Sequence, residues 1–326
     1  MSEFPTSILV LLLAASLDYL IGDPRGWLHP VQVMGWGISS YNYLVINRWH
    51  SHLVRRLAGI GLGVGAILGS GLVGWLILQA ASGIHPWFGV GIEAILLASC
   101  FAARSLQAAA IDVLQPLSAG DVEEARSRLS QYVGRDTENL SPEDIYRAIV
   151  ETIAENTTDG VTAPLFYALI GAFIPGVGSL PLALAYKAAS TLDSMVGYQR
   201  EPFTDLGWFS AQVEDFLTLV PCRLTVLTLS LMSGAPQQTW HLCRRDAIKD
   251  PSPNAGWSEC AFAAILDVQL GGTNRYGGVV KHKPLLGEPT HPITSAQVHQ
   301  ALGLTRNCFL IWLGIGLVGL LLEKLV

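Results

Sequence analysis

The chain has 326 residues, of which 50% are hydrophobic and only 14% are charged. Since soluble domains carry about 25% charged residues, this composition is typical of a polytopic membrane protein and excludes a disordered chain and a coiled coil. The net charge is −6 without a basic stripe, so nucleic acid is not an expected partner.

Six apolar segments are predicted to be helices that enter the membrane, because a helix needs about 20 apolar residues to cross its hydrocarbon core. No formal charge occurs between Arg56 and Glu93, and glycines such as Gly59 and Gly63 form small-xxx-small pairs there, which favour close helix packing. The fourth segment is interrupted at Pro175 and Pro181, which predicts a broken or re-entrant hairpin. The approximate bounds are 5–22, 57–80, 85–103, 160–186, 216–240 and 307–324.

Residues 104–158 are polar and helically phased, and the distribution of Lys and Arg places them on the cytoplasmic side. Within this insert, Ser141 followed by Pro142 and two acidic residues predicts a helix from Pro142 to about Asn156. The loop 271–295, rich in glycine and proline, is predicted to be irregular. The predicted fold class is therefore all-α: one polytopic membrane domain with a helical cytoplasmic subdomain and broken helices near its active site.

Three carboxylates, Glu151, Glu155 and Asp159, are spaced four residues apart, so a continuing helix puts them on one face. Like charges at this spacing repel unless a cation lies between them, and oxygen ligands suit Mg²⁺. Asn156 adds a further oxygen. The alternative is a solvated acidic face at the end of the helix. The apolar segment that starts at Val161 argues against it, because charged residues without a function are energetically unfavourable next to a membrane segment.

A second cluster follows the broken segment. On a helix Lys187, Thr191 and Ser194 share a face, which could hold a phosphate, with Asp193 nearby as a metal ligand or base. The alternative is a lysine at the membrane edge that snorkels to the interface.

Three further candidates, Asp18, Asp23 and His29, follow the first apolar run, where a tight turn is the alternative explanation. Asn254 lies in a proline-rich stretch that ordinary turn chemistry explains equally well. A P-loop is absent, so no nucleotide motif is available. The five cysteines are scattered and are expected to be buried small side chains.

Four long blocks together resemble the adenosylcobinamide-phosphate synthase family of cobalamin biosynthesis, the CobD/CbiB membrane proteins. The resemblance runs from Leu17 to about Gly287. The blocks are LDYLIGDPRGWLHPVQVMG (17–35), ETIAENTTDGVTAPLFYALIG (151–171), AYKAASTLDSMVGY (185–198) and DPSPNAGWSECAFAAILDVQLGG (250–272).

The resemblance implies an enzyme that joins (R)-1-amino-2-propanol, or its O-phosphate, to the propionate carboxylate of adenosylcobyric acid. It implies ATP as the driving reagent, and we expect Mg²⁺ with it, in a multi-pass protein of the cell membrane whose site faces the cytoplasm. We assign roles to the candidate residues from their chemistry and from the blocks in which they lie. The expected Mg²⁺ ligands are Glu151, Glu155, Asp159 and Asp193, and the expected phosphate ligands are Lys187 and Arg200. Substrate contacts or proton transfer are expected of Asp18, Asp23, His29 and Asn254, and substrate binding of Asn156, Thr191 and Ser194.

Two other functions are considered. A membrane prenyltransferase also holds Mg²⁺ at helix ends, but only Asn156-x-x-Asp159 resembles its motifs. A transporter could use Asp18, Glu93 and Arg223 as a polar pathway. The sequence leaves open whether the amine arrives phosphorylated, and whether the chain forms a homo-oligomer or associates with other enzymes of the pathway.

Overall fold

The computed structural model describes residues 6–22, 26, 29–198, 200–323 and 325, and their regular structure is helical apart from one two-stranded hairpin. The predicted all-α class is confirmed. The α-helices are α1 (Thr6–Leu20), α2 (Pro30–Arg48), α3 (His52–Ile84), α4 (Pro86–Ala98), α5 (Ala103–Ser118), α6 (Val122–Leu129), α7 (Pro142–Asn156), α8 (Ala163–Phe173), α9 (Ser179–Val196), α10 (Phe203–Leu206), α11 (Trp208–Met232), α12 (Pro236–Asp246), α13 (Ala255–Leu266) and α14 (Ser295–Glu323). The remaining elements are a π-helix (Thr157–Thr162), a 3₁₀ turn (Ala247–Lys249) and the strands β1 (Leu270–Tyr276) and β2 (Val279–Leu286).

Four helical segments of the described chain are long and apolar enough to cross a membrane, which confirms the polytopic class. Predicted segment 57–80 lies within the first of them, and residues 307–323 of the last predicted segment lie within α14. Helix α1 is shorter, with 15 residues. The four segments are His52–Ile84, Pro86–Ser118 (which contains α4 and α5), Trp208–Met232 and Ser295–Glu323.

The chain divides into two compact units, with boundaries at the start of α5, at the start of α8, within α11 and within α14. Unit 1 comprises Met1–Ala102, Ala163–Thr218 and Ile311–Val326, and unit 2 comprises Ala103–Thr162 and Leu219–Leu310. The predicted insert 104–158 lies in unit 2. All five cysteines are buried and free, as expected.

In unit 1, two glycines of α3 allow neighbouring groups to come very close. A Cβ atom added at Gly59 would lie 2.1 Å from the carbonyl oxygen of Leu206, and one at Gly63 would lie 2.4 Å from the Phe209 ring. At Gly65 it would meet nothing within 4 Å. The predicted small-xxx-small contact is therefore made by Gly59 and Gly63.

The predicted break in the fourth apolar segment is present in unit 1: α8 ends at Phe173 and α9 begins at Ser179. Glu93 of α4 caps the start of α9, because its Oε1 accepts hydrogen bonds from the backbone N–H groups of Ser179 (2.7 Å) and Leu180 (3.3 Å). A carboxylate at a helix N-terminus is also favoured by the helix dipole. Glu93 thus has a structural role, which weakens the transporter interpretation.

In unit 2, residues 271–286 of the segment predicted to be irregular belong to an antiparallel hairpin of β1 and β2, so the prediction is wrong there, whereas residues 287–294 form no helix or strand, as predicted. Gly277 and Gly278 connect the strands with φ of 57° and 80°, as a type I′ turn requires. The Asp136 carboxylate accepts hydrogen bonds from both of their N–H groups, at 2.8 and 2.7 Å. A distant part of the chain therefore stabilises the turn.

Asp246 at the end of α12 is buried and fixes the far end of the hairpin in unit 2. It accepts hydrogen bonds from Arg245, from Lys249 Nζ (2.9 Å) and from the backbone N–H of Gly287 (3.2 Å). Burial alone would raise the pKa of Asp246, but these hydrogen bonds outweigh it and lower the pKa to about 2. Asp246 is therefore ionised at neutral pH.

Candidate functional site

Helix α7 carries the first two predicted carboxylates, and it begins as the sequence predicts. The Ser141 side chain accepts a hydrogen bond from the Asp144 N–H (3.1 Å), and the Asp144 carboxylate accepts one from the Ser141 N–H (3.4 Å). This reciprocal capping box, with Pro142 at the first helical position, fixes where the helix starts. The position of the helix start therefore determines which face of α7 carries Glu151 and Glu155.

The helix does not continue regularly after Asn156, because residues Thr157–Thr162 form a π-helix. The predicted helix from Pro142 to about Asn156 is confirmed, but the regular continuation that would put Asp159 on the same face as Glu151 and Glu155 is not present. The wider turn is stabilised by its own hydroxyl groups: Thr157 donates to the Ile153 carbonyl (2.7 Å) and Thr162 to the Thr157 carbonyl (3.0 Å). Short π-helical turns are rare and frequently occur at functional sites.

Glu151 is buried, and both of its carboxylate oxygens are engaged. Oε2 accepts a short hydrogen bond from Arg135, and Oε1 accepts one from the Gly271 N–H (2.9 Å) and lies 3.9 Å from Arg147 Nε. Arg135 also donates to Asn274 Oδ1 (2.9 Å). Burial alone would lower the pKa of Arg135, but the Glu151 carboxylate outweighs it and raises the pKa. This buried ion pair fastens β1 to α7.

Glu155 has a different environment one turn further along α7. Its side chain is exposed and makes no hydrogen bond or ion pair within 4 Å with any residue that the structure describes. The neighbouring Asn156 is half-buried and donates its amide to the Thr152 carbonyl (2.9 Å). Of the carboxylates predicted on α7, Glu155 alone keeps both oxygens available to a ligand.

Helix α13 packs against α7 through hydroxyl groups. Ser258 donates a short hydrogen bond to the Ala154 carbonyl, and Thr158 donates to Ser258 Oγ (3.2 Å). This contact brings the next residue, Glu259, close enough to Glu151 and Glu155 for the three carboxylates to interact electrostatically.

Glu259 is completely buried and pairs with Lys283 of β2, with 3.1 Å between Oε1 and Nζ. Burial raises the pKa of Glu259; Lys283 opposes this shift, but Glu151 and Glu155 add to it, and the pKa stays raised. Burial alone would lower the pKa of Lys283, but Glu259, Glu155 and Glu151 outweigh it and raise the pKa. The site therefore holds a protonated lysine among three carboxylates.

Neither Glu259 nor Lys283 is among the site residues predicted from the sequence. One signal was available, since Glu259 is the only charge in the apolar helix Ala255–Leu266 and lies within the fourth block. Charged residues are almost never fully buried unless paired, so a partner could have been expected but not identified.

Asn254 is buried just before α13, and the loop around it is fastened to α11. Cys222 donates its thiol to the Asn254 carbonyl (3.3 Å) and lies within electrostatic range of Asp159. Arg223 donates to the Pro253 carbonyl (2.8 Å) and stacks 4.2 Å from the centre of the Trp257 ring. The structure thus brings Asp159 and Asn254 into the same part of unit 2.

The candidates from the first apolar run lie in unit 1. Asp18 is buried in α1. His29 caps α2, since its Nδ1 accepts a hydrogen bond from the Val31 N–H (3.2 Å). Asp23 lies outside the described residues. His29 thus has a structural role whether or not it meets a substrate.

The second predicted cluster also lies in unit 1, on α9. Thr191 donates its hydroxyl to the Lys187 carbonyl (2.7 Å) and Ser194 donates to the Thr191 carbonyl (2.9 Å). Lys187 is half-buried, Thr191 buried and Ser194 exposed. Both hydroxyl protons are therefore used within the helix, and each oxygen can still accept a hydrogen bond.

The last two candidates lie at and beyond the end of α9. Asp193 Oδ1 folds over Gly197, where an added Cβ atom would lie 2.0 Å from it. Arg200 is exposed and lies 5.1 Å from the centre of the Tyr198 ring. The predicted residues are therefore divided, with Glu151, Glu155, Asn156, Asp159 and Asn254 in unit 2 and the others in unit 1.

Residues 11–305 of the chain match the protein family described as CobD/Cbib protein. A protein of Synechocystis sp. named cobalamin biosynthesis protein CobD is 54% identical over 315 residues, which cover 97% of this chain and 92% of the relative. Cobalamin biosynthesis protein CobD of Citrobacter koseri is 40% identical over 302 residues, covering 91% and 92%, and CbiB of Salmonella typhi is 39% identical over 302 residues with the same coverage. No solved structure matches the chain.

Proposed function

The chain belongs to the CobD/CbiB family of cobalamin biosynthesis proteins, and we propose that it catalyses the amide-forming step on the corrinoid. The amine is (R)-1-amino-2-propanol or its O-phosphate, and the acid is the propionate carboxylate of adenosylcobyric acid. The product is adenosylcobinamide or its phosphate. We place the protein in the cell membrane with its site facing the cytoplasm.

One observation of the site carries the proposal: Glu155 is an exposed carboxylate with both oxygens open, next to a second carboxylate and a protonated lysine. A carboxylate does not condense with an amine in water without activation, so ATP must first convert it to a better acyl donor. A site that combines open carboxylates with a cation suits such phosphoryl transfer, which depends on positioning and charge neutralisation.

The reaction proceeds in two displacements. A carboxylate oxygen of the corrinoid attacks the γ-phosphorus of ATP, the bond to the bridging oxygen breaks, and ADP leaves. The neutral amine then attacks the acyl carbon, the carbon–oxygen bond breaks, and inorganic phosphate leaves with one of the original carboxylate oxygens. The proton released from the amine nitrogen passes to a base.

The residues of unit 2 fit Mg²⁺, which prefers oxygen ligands and is commonly held by one or two carboxylates plus substrate phosphates. Glu155 and Asp159 are the proposed ligands, and the ion would neutralise charge on the transferred phosphoryl group. Glu151 is better suited to a positioning role, since both of its oxygens are engaged by the protein.

The unit 1 residues keep their proposed roles. Lys187 and Arg200 are proposed phosphate ligands, and Asp193 is a proposed metal ligand. The proposed substrate contacts in unit 1 are Asp18, Asp23, His29, Thr191 and Ser194. Those in unit 2 are Asn156 and Asn254.

The test uses protein purified in detergent, with adenosylcobyric acid, ATP, Mg²⁺ and either aminopropanol or its O-phosphate. Mass spectrometry should detect the amide only when ATP and Mg²⁺ are both present, and the preferred amine identifies the substrate. We expect Glu155→Gln to abolish product formation, whereas Glu143→Gln, an exposed residue of the same helix, should leave it unchanged. Folded protein that yields no amide with either amine would contradict the proposal.

A further inference from the structure

Glu259 is a carboxylate placed where no solvent reaches it. Its exposed fraction is 0%; Oε1 pairs with Lys283, and Oε2 has no hydrogen-bond partner among the described residues. A buried acceptor without a partner destabilises the folded protein, and more so when the group is charged. The fold therefore keeps an unsatisfied carboxylate oxygen on Glu259, which lies within electrostatic range of Glu151 and Glu155.

The acceptors of this cluster are unevenly used. Glu151 pairs with Arg135 and lies 3.9 Å from Arg147, and Lys283 pairs with Glu259, but Glu155 has no ion pair within 4 Å in the described chain. The open acceptors are both oxygens of Glu155 and one oxygen of Glu259. Open carboxylate oxygens of this kind are ligands for a hard divalent cation.

We infer that Glu259 and Glu155 form a divalent-cation site in which the ammonium of Lys283 competes with the ion for Glu259. The Lys283 side chain is 30% exposed, so the ammonium can turn toward solvent when an ion takes its place. The inference rests on the proposed function for the use of the ion, and it adds Glu259 as a ligand and Lys283 as the competing group.

The competing explanation is a purely structural ion pair between Lys283 and Glu259. The two explanations predict different effects on metal affinity when the Lys283 ammonium is removed. A structural pair predicts a less stable protein with no change in metal affinity, whereas a competing ammonium predicts tighter metal binding once it is removed.

The experiment measures binding of Mn²⁺, as a paramagnetic substitute for Mg²⁺, to the full-length protein in detergent by electron paramagnetic resonance. His52, Glu201 and Asp205 in unit 1 also bring ligand atoms within 4.8 Å of one another, so every variant carries His52→Ala to remove that group. The test variants are Glu259→Gln and Lys283→Gln. The controls are Glu143→Gln on α7 and Lys281→Gln, an exposed lysine of the same strand.

We expect Glu259→Gln to weaken Mn²⁺ binding by roughly tenfold or more, within the range of losses at metal sites. Lys283→Gln should tighten binding, and added Mn²⁺ should raise its melting temperature more than that of the parent. Both controls should bind like the parent. The inference is overturned if the parent does not bind Mn²⁺, if Glu259→Gln binds normally, or if Lys283→Gln binds no more tightly than the parent.

Because this assay contains neither ATP nor corrinoid, it separates the two proposals. Mn²⁺ binding with the expected variant pattern in a protein without ligase activity would retain the site and refute the proposed reaction. Ligase activity in a protein whose Mn²⁺ binding does not respond to Glu259→Gln would retain the proposed reaction and refute the cation site.

Discussion

The buried pair between Arg135 and Glu151 leads to the most specific stability prediction. The two side chains are 7% and 3% exposed, so Glu151→Gln removes a charge from a site where Arg135 cannot be solvated. Breaking a buried pair by removing one partner costs about 3–5 kcal/mol. Asn274 still accepts a hydrogen bond from Arg135, and the glutamine oxygen can still accept one from the Gly271 N–H, so we expect a loss of about 3 kcal/mol.

For a unit the size of unit 2, a loss of 1 kcal/mol in the free energy of unfolding lowers the melting temperature by about 2–4 °C, so Glu151→Gln should lower it by about 6–12 °C. The assay is thermal melting in detergent, followed by tryptophan fluorescence. Glu138→Gln, at an exposed position, should melt within about 2 °C of wild type.

The double variant Arg135→Met/Glu151→Gln should recover most of the loss, because removing both charges leaves no buried charge unpaired. A single variant that melts like wild type would refute this reasoning. It would also return Glu151 to the set of metal ligands.

Three further predictions concern packing, capping and pH. Glu93→Ala should destabilise unit 1 by about 1–3 kcal/mol, because two N–H groups at the start of α9 lose their acceptor, whereas Glu93→Gln should destabilise it less. Equal melting temperatures for the two variants would contradict a capping role for Glu93. Gly59→Ala should prevent the close approach of α10 and lower the yield of folded protein, while Gly65→Ala, which meets nothing, should be neutral in size-exclusion chromatography. Folding lowers the pKa of Asp246, so its ionised carboxylate stabilises the folded protein at pH values above the unfolded pKa of 3.8. This stabilisation is lost as the pH falls through about 2. The difference in melting temperature between wild type and Asp246→Asn should therefore be constant near neutral pH and narrow as the pH falls below 4; a difference that is independent of pH would count against the Asp246 network.

The features that could be predicted from the sequence are those with local causes. The start of α7 depends on Ser141, Pro142 and Asp144, which are close together in the chain. The break between α8 and α9 coincides with the Pro175-Gly176 pair, because proline and glycine cannot continue a helix at low cost.

The features that could not be predicted depend on residues far apart in the chain. The β-hairpin turn is capped by Asp136, which is 141 residues from Gly277. Glu259 and Lys283 meet only because α13 and β2 pack together, and neither residue reveals its partner through spacing. The π-helix after Asn156 depends on threonines whose preference for that turn is not visible in a periodic pattern.

The most direct test of the account uses adenosylcobyric acid labelled with oxygen-18 in its free carboxylate, together with ATP, Mg²⁺ and the preferred amine. If the carboxylate is phosphorylated before the amine attacks, mass spectrometry should find one labelled oxygen in the amide and the other in inorganic phosphate. Amide formed with unlabelled phosphate, or no amide from folded protein, would contradict the proposed reaction.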